Sequence, residues 1–395
     1  MVSIALQNQR SCGILRWNGG GEVNSIIKWP GGKTREIDKI KHLIPKNYTR
    51  YVEPFFGGGA LYFHLMPETA AINDVSDSLI GFYRLVKTQD KRLHDLLICY
   101  NDSFQNLISV CDENASVLLS IFGDFREERI TKEDLNEVIG GFLSRVEETI
   151  LSGFRNELLL DKEVFFAFLR KMAADKYIRT VSNHRKKPFS NEDLQENLIT
   201  GFASGYYMYF RKVHNDISLG RISGCSAAYQ AANFYFIREY CYGSMFRYNG
   251  KGEFNIPYGG MSYNRKDMRS KIEHMFNSGV AHLFAGTEIH CSDFESFFEK
   301  IRLTADDFMF LDPPYDTDFS DYEGKSFTKK DQERLANALK RTEAKFILVI
   351  KNTDYIYGLY EKDFNILSFD KQYTYNVRSR NERDVEHLII TNLPV

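Results

Sequence analysis

The sequence predicts an α/β fold: a sheet with helices on both faces, interrupted by a long, mostly helical stretch. Three observations carry this. Strand–turn–helix units run in series from residue 49 to 87, helical periodicity without such turns fills about 95–200, and the strand–helix rhythm returns near 288. Units in series of that kind imply parallel strands joined by crossover helices.

The elements follow in order. Residues 1–24 have no sustained period and contain NGGGE, as a flexible leader would. SIIKWPGGKTREIDKIKHLIPKNY, 25–48, gives a glycine turn and an amphipathic helix, with Ile37, Ile40, Leu43 and Ile44 at helical spacing. TRYVEPFFGGGALYFHLM reads as strand, glycine loop and helix. AAINDVSDSLIGFYRLVK repeats the cycle, with Leu79, Ile80, Tyr83 and Val86 on the helix. The glycines of FRYNGKGEFNIPYGG, 246–260, suit tight turns or a β-hairpin. Then come strands at EIHC and DFMFL, the helix SFTKKDQERLANALKR, the strand KFILVIKN and late strands ending in EHLIITN.

Composition bounds the function. The 395 residues exceed one ordinary core, and 43% hydrophobic with 26% charged residues is a soluble globular balance. No apolar run approaches the roughly eighteen residues of a membrane span, and the first twenty residues lack a secretory signal's apolar centre. Six cysteines without a C-x-x-C pair fit reduced thiols and a cytoplasmic location, and no metal site is expected. The net charge of −2 hides an asymmetry. Residues 112–163 hold 13 acids against 6 bases, whereas 205–272 hold 10 bases against 4 acids and fifteen Phe and Tyr. The second stretch is either a nucleic-acid surface or a solvated face over an aromatic core.

EPFFGGGA, 53–60, sets three glycines where a strand turns into a helix, allowing positive φ and close approach of a ligand. Asp74 lies 21 residues after Glu53, a spacing that puts a carboxylate on ribose hydroxyls in nucleotide-type sites; its other role would be a helix cap. The loop lacks both the Gly-Lys-Ser/Thr ending of a P-loop and the G-x-G-x-x-G spacing. A cofactor with a ribose and no phosphate fits better, and S-adenosylmethionine is one. In KWPGGK, 28–33, Trp29 can cover an apolar or cationic group and Lys33 can bind a carboxylate, or the segment is a turn with Lys33 solvated.

LDPPYD, 311–316, ends a buried strand. The Asp312 carboxylate and the backbone carbonyl beside it can accept both hydrogens of an adenine amine and stabilise the positive charge that develops as it attacks a methyl group. Pro313 and Pro314 stiffen the carbonyl, and Tyr315 offers a face for a flipped base. The alternative is a Pro-Pro loop with Asp312 as a cap.

KWPGGK, VEPFFGGGA, IND, FRYNGKGEFNIPYG and LDPPY, in that order, resemble the Dam-like (alpha group) DNA adenine-N6 methyltransferases over roughly 25–90 and 200–395. The resemblance implies a Rossmann-like methyltransferase sheet, S-adenosylmethionine as donor and double-stranded DNA as substrate. It implies cofactor contacts at Trp29, Lys33, Glu53, Phe55, Gly57, Gly59, Asp74, Asp293, Phe294 and Asp312. Catalysis falls to Asp312, Pro313, Pro314 and Tyr315, and DNA contact to Lys28, Arg247, Asn249 and Lys251. The expected organisation is a leader (1–24), a cofactor-binding part (25–94), a helical insert (95–200), a target-recognition region (201–279) and a catalytic part (280–395). The insert adds about a hundred residues to a compact member. Its acidic face should avoid DNA or meet a protein partner such as a cognate restriction endonuclease. CYGSMFR stands where enzymes of GATC sites carry a Tyr-Asn-Gly pattern. The rival readings are N4-cytosine or RNA nitrogen as acceptor, and a catalytically inactive DNA-binding regulator.

Overall fold

The computed structural model describes residues 24–29, 36–155, 157–245, 247–314, 321–322, 325–372 and 384–394. The chain divides into two compact units, one of residues 1–25, 31–80 and 278–395 and the other of residues 26–30 and 81–277.

The first unit is built on a seven-stranded sheet. Its strands are β1 (Arg50–Glu53), β2 (Ala70–Asp74), β3 (Thr287–Cys291), β4 (Asp307–Leu311), β5 (Lys345–Lys351), β6 (Asn365–Gln372) and β7 (Asp384–Thr391). Their order across the sheet is β3-β2-β1-β4-β5-β7-β6. β3 to β5 in this order are parallel, as the strand–helix rhythm implies, but β7 runs antiparallel to both β5 and β6. The link between β6 and β7 is residues 373–383, fewer than the dozen or so that a parallel crossover needs. The central strands are buried on both faces, which is why FMFL and FILVI are unbroken apolar runs. Val52, Met309, Leu311, Phe346 and Leu348 form a core with Phe297, Ile301, Leu335 and Leu339 from the helices Phe294–Ile301 and Lys329–Arg341. Each such buried side chain contributes about 1.5–3 kcal/mol. At the amino ends, Arg50 grips Asp307 through two 2.8 Å hydrogen bonds and pins β1 to β4.

The amphipathic helix expected after residue 36 is shorter than its apolar spacing suggests. One α-turn, Ile37–Ile40, passes into a 3₁₀ turn, Lys41–Leu43. Ile44 is extended (ψ 123) because the following residue is Pro45, which disfavours the helical conformation before it.

The second unit is helical. Its long helices are Lys91–Glu113, Ala115–Arg126, Lys132–Ser152, Lys162–Lys186, Asn191–Ser218 and Ala227–Tyr240. Gly201 and Gly205 let two of them touch: a Cβ there would lie 2.8 Å from Ala173 Cα and 2.6 Å from Leu169 Cα. The aromatic residues of 205–272 are mostly core. Tyr206, Phe210, Phe236 and Tyr240 are buried, and Phe236 stacks on Tyr100 at 4.9 Å. Tyr242, in contrast, is 46% exposed. The turn at 249–252 is a hairpin, with Tyr248 bridged antiparallel to Phe254 and Asn249 N–H bonded to the Glu253 carbonyl at 2.9 Å.

Candidate active site

The chain order reverses between β1 and β4. From β1 the chain continues to β2 and β3 on one side, and from β4 it continues to β5 on the other. The carboxyl ends of strands at such a reversal open a crevice, the common ligand site of open α/β sheets. Three carboxylates stand there. Glu53 ends β1, Asp74 ends β2, and Asp312 follows Leu311 at the end of β4.

Glu53 is 2% exposed, and its Oε2 accepts from the Tyr51 hydroxyl at 2.7 Å. Burial pushes its pKa well above the usual carboxylate range; the Tyr51 hydrogen bond opposes this, and the charges of Asp312 and Asp74 add to it. Glu53 is therefore held toward its neutral form.

The loop after β1 is shaped by its glycines and by Asp74. Gly57 and Gly59 have φ of 49° and 61°, and a Cβ on Gly59 would lie 2.5 Å from the Phe56 ring. Asp74 Oδ2 accepts from Gly57 N–H at 2.9 Å and Oδ1 from Ser76 N–H at 3.0 Å. The helix start itself is capped by Ser76, whose Oγ accepts from Leu79 N–H. Asp74 thus braces the loop, and a carboxylate can accept about four hydrogen bonds in all.

Asn73 lies in the IND motif, and the sequence assigns it no role. It is 1% exposed, its Nδ2 donates to the carbonyls of Pro54 (3.0 Å) and Ser292 (2.9 Å), and its Oδ1 accepts from the Ser292 N–H and hydroxyl. It fastens the loops after β1 and β3 together across β2. Its only sequence signal was a polar residue inside an apolar strand.

Phe55 and Phe294 meet at 5.7 Å, and Phe327 packs edge-on against Phe55 at 5.6 Å. Asp293 caps the helix Phe294–Ile301 through Glu295 N–H and pairs with Arg334 at 2.7 Å. The Arg334 guanidinium also pairs with Glu295 and lies 4.9 Å over the Phe294 ring.

The remaining predicted residues are distributed as follows. Lys33 and Tyr315 lie outside the described residues. Trp29 belongs to the helical unit, where its ring is 6.5 Å from Phe234 and lies under the buried Arg238 at 5.4 Å. Arg238 also donates to the carbonyls of Lys28 and Met245, at 3.4 and 2.8 Å. It joins two predicted contact segments, and no local pattern marked it. The Arg247 Nε–H donates to Asn255 Oδ1 at 2.9 Å, and Lys251 is exposed at the hairpin turn. The Asn249 side chain is engaged within its own turn, accepting from Lys251 and Glu253 N–H and donating to the Glu253 carboxylate.

Among the described residues no cluster of His, Cys, Asp and Glu could hold a metal, and no helix is long and apolar enough to cross a membrane. The family model for D12 class N6 adenine-specific DNA methyltransferases matches residues 29–128 and 165–375. The chain is 23% identical over 380 residues to the type II methyltransferase M1.LlaDCHI of Lactococcus lactis subsp. cremoris, covering 94% of this chain and 95% of that protein. It is 27% identical over 395 residues to the type II methyltransferase M.MjaIII of Methanocaldococcus jannaschii, covering 94% and 99%. The DNA adenine methylase of Haemophilus influenzae is 20% identical over 338 residues, covering 83% and 79%. With carboxylates and a glycine loop at the reversal of an α/β sheet, and a family match over most of its length, this chain belongs to the D12 class of N6 adenine-specific DNA methyltransferases.

Proposed function

We propose that the crevice binds S-adenosylmethionine and that Asp312 and the Pro313 carbonyl act on the amine of a flipped adenine in duplex DNA. The observation that carries this is the trio Glu53, Asp74 and Asp312 around a loop whose Gly59 leaves no room for a side chain. The donor set suits the cofactor: Asp74 can accept from a ribose diol, and Phe55 with Phe294 offers an aromatic wall for a purine. Gly57, Gly59 and Glu53 shape the loop, with Asp293 and Lys33 as the further contacts. Bound there, S-adenosylmethionine supplies an electrophilic methyl group. Asp312 and the Pro313 carbonyl accept the two amine hydrogens, which turns the nitrogen lone pair toward the methyl and stabilises the positive charge forming on nitrogen. Tyr315 stacks on the extruded base.

The reading extends to the whole chain. Residues 25–94 and 280–395 form the cofactor and catalytic parts, 95–200 the insert and 201–279 the target-recognition region. Arg247 reads guanine, while Lys28, Asn249 and Lys251 serve the backbone or their own turn. The family match leaves out 129–164, most of the acidic stretch, which suits that stretch to a protein partner such as a restriction endonuclease. The protein works in the cytoplasm.

The test is Asp312→Ala, assayed with labelled S-adenosylmethionine and unmethylated DNA. Methyl transfer should fall on the order of a hundredfold or more with DNA binding largely intact. A variant within about threefold of the parent enzyme would remove Asp312 from the chemistry, since loss of one preorganised group costs far more than that.

A further inference from the structure

We infer that Gln332 is a positioning residue for methyl transfer, acting on the catalytic loop through the Pro314 carbonyl. The helix Lys329–Arg341 buries one stripe, Gln332, Leu335, Ala336 and Leu339, at the spacing of a core face. Three of these are apolar and share a core with Leu311, Phe297 and Phe346. The fourth is an amide with 0% exposure. Its Nε2 donates to the Pro314 carbonyl at 3.0 Å, and its Oε1 is buried with no hydrogen-bond partner among the described residues. A leucine or methionine would fill the same stripe without burying a half-satisfied amide, so packing alone does not select glutamine here. What glutamine adds is one bond, and that bond goes to the loop carrying Asp312.

The mount is firm. A capping box between Thr328 and Asp331 sets the start of the helix, and Arg334 ties Asp331 to Asp293 and Glu295. The loop needs an outside anchor, because Pro313 and Pro314 have no N–H with which to hold themselves. Proline φ is fixed, so gripping the Pro314 carbonyl leaves the Pro313–Pro314 peptide little freedom. The Pro313 carbonyl is thereby aimed where an amine hydrogen must arrive. The inference rests on the assignment of Asp312–Pro314 as the catalytic loop.

The test uses the full-length protein, labelled S-adenosylmethionine and unmethylated genomic DNA in single turnover. Gln332→Leu and Gln332→Met should melt close to the parent temperature, the lost bond being offset by removal of the half-satisfied amide, and keep their affinities for S-adenosylmethionine and DNA. Their methyl-transfer rate should fall roughly tenfold or more, the worth of one net hydrogen bond expressed in a rate. Gln332→Glu adds a readout that packing alone would not move. Its rate relative to the parent should rise as pH falls, because only the protonated carboxyl can donate to the Pro314 carbonyl. Leu and Met variants that keep the parent rate would overturn the inference. So would a rate loss that tracks lost cofactor affinity or lost melting temperature, or failure of both variants to fold. Asp312→Ala retaining the parent rate would instead overturn the catalytic-loop assignment itself, whatever the Gln332 variants do.

Discussion

Replacing Asp74 by alanine separates the two tasks that its position combines. The carboxylate braces the glycine loop through Gly57 N–H (2.9 Å) and Ser76 N–H (3.0 Å), and in our reading it also accepts from the cofactor's ribose. A hydrogen bond to a charged group is worth about 1.5–3 kcal/mol, so loss of the ribose contact alone should weaken S-adenosylmethionine binding roughly 10- to 150-fold. Loss of the two brace bonds should also lower unfolding free energy, by about 1–3 kcal/mol once water re-solvates the freed amides. Asp74→Asn keeps one acceptor oxygen and should fall between parent and alanine on both scales. Calorimetry well below the melting temperature measures the first effect, and chemical denaturation without cofactor measures the second. If stability falls and cofactor affinity is unchanged, Asp74 is a loop brace and the ribose contact is wrong.

Three further outcomes follow from the site. Gly59→Ala must hold φ near +61° and push the Phe56 ring, 2.5 Å from the new Cβ; the backbone alone costs about 1–2 kcal/mol, so the melting temperature should drop and KM for the cofactor rise. An alanine variant that melts with the parent would show the loop to be pliable. Glu53 has a folded-state pKa raised by burial, so its contribution to stability is present below the ordinary carboxylate pKa and is lost as pH rises toward the raised value. Glu53→Gln should therefore gain melting temperature over the parent as pH increases and lose that margin toward acid; a margin independent of pH would mean that Glu53 titrates normally. Arg247→Ala should relax one position of the methylated motif by about 1–3 kcal/mol of discrimination, whereas Lys251→Ala should weaken binding evenly and flatten its salt dependence. Methylome profiles of the two variants decide it, and an unchanged motif in Arg247→Ala would make Arg247 a phosphate clamp.

Much of this protein was legible in the sequence wherever a role is completed within a few residues. Glycines between a strand and a helix predict a tight loop, and Gly57 and Gly59 adopt the positive φ that makes glycine necessary. DFMFL before DPP predicts a buried strand with an acid at its mouth, and Asp312 stands at that strand end. SFTKKDQERLANALKR predicts a helix, and Lys329–Arg341 forms one. Other features had no local mark. Asn73 bonds Ser292 across 219 residues of chain, and Gln332 reaches Pro314 from a stripe that reads as core. The aromatic abundance of 205–272 could not be divided between core and surface until helix packing buried Tyr206, Phe236 and Tyr240 and left Tyr242 out. β7 lies between β5 and β6, paired antiparallel with both, although β6 precedes it in the chain. Capping, turn and strand signals act between near neighbours, so the sequence determines them directly. Which strand ends and helix faces come together is decided by burial of whole surfaces, and only that assembly gives Asn73, Arg238 and Gln332 their partners.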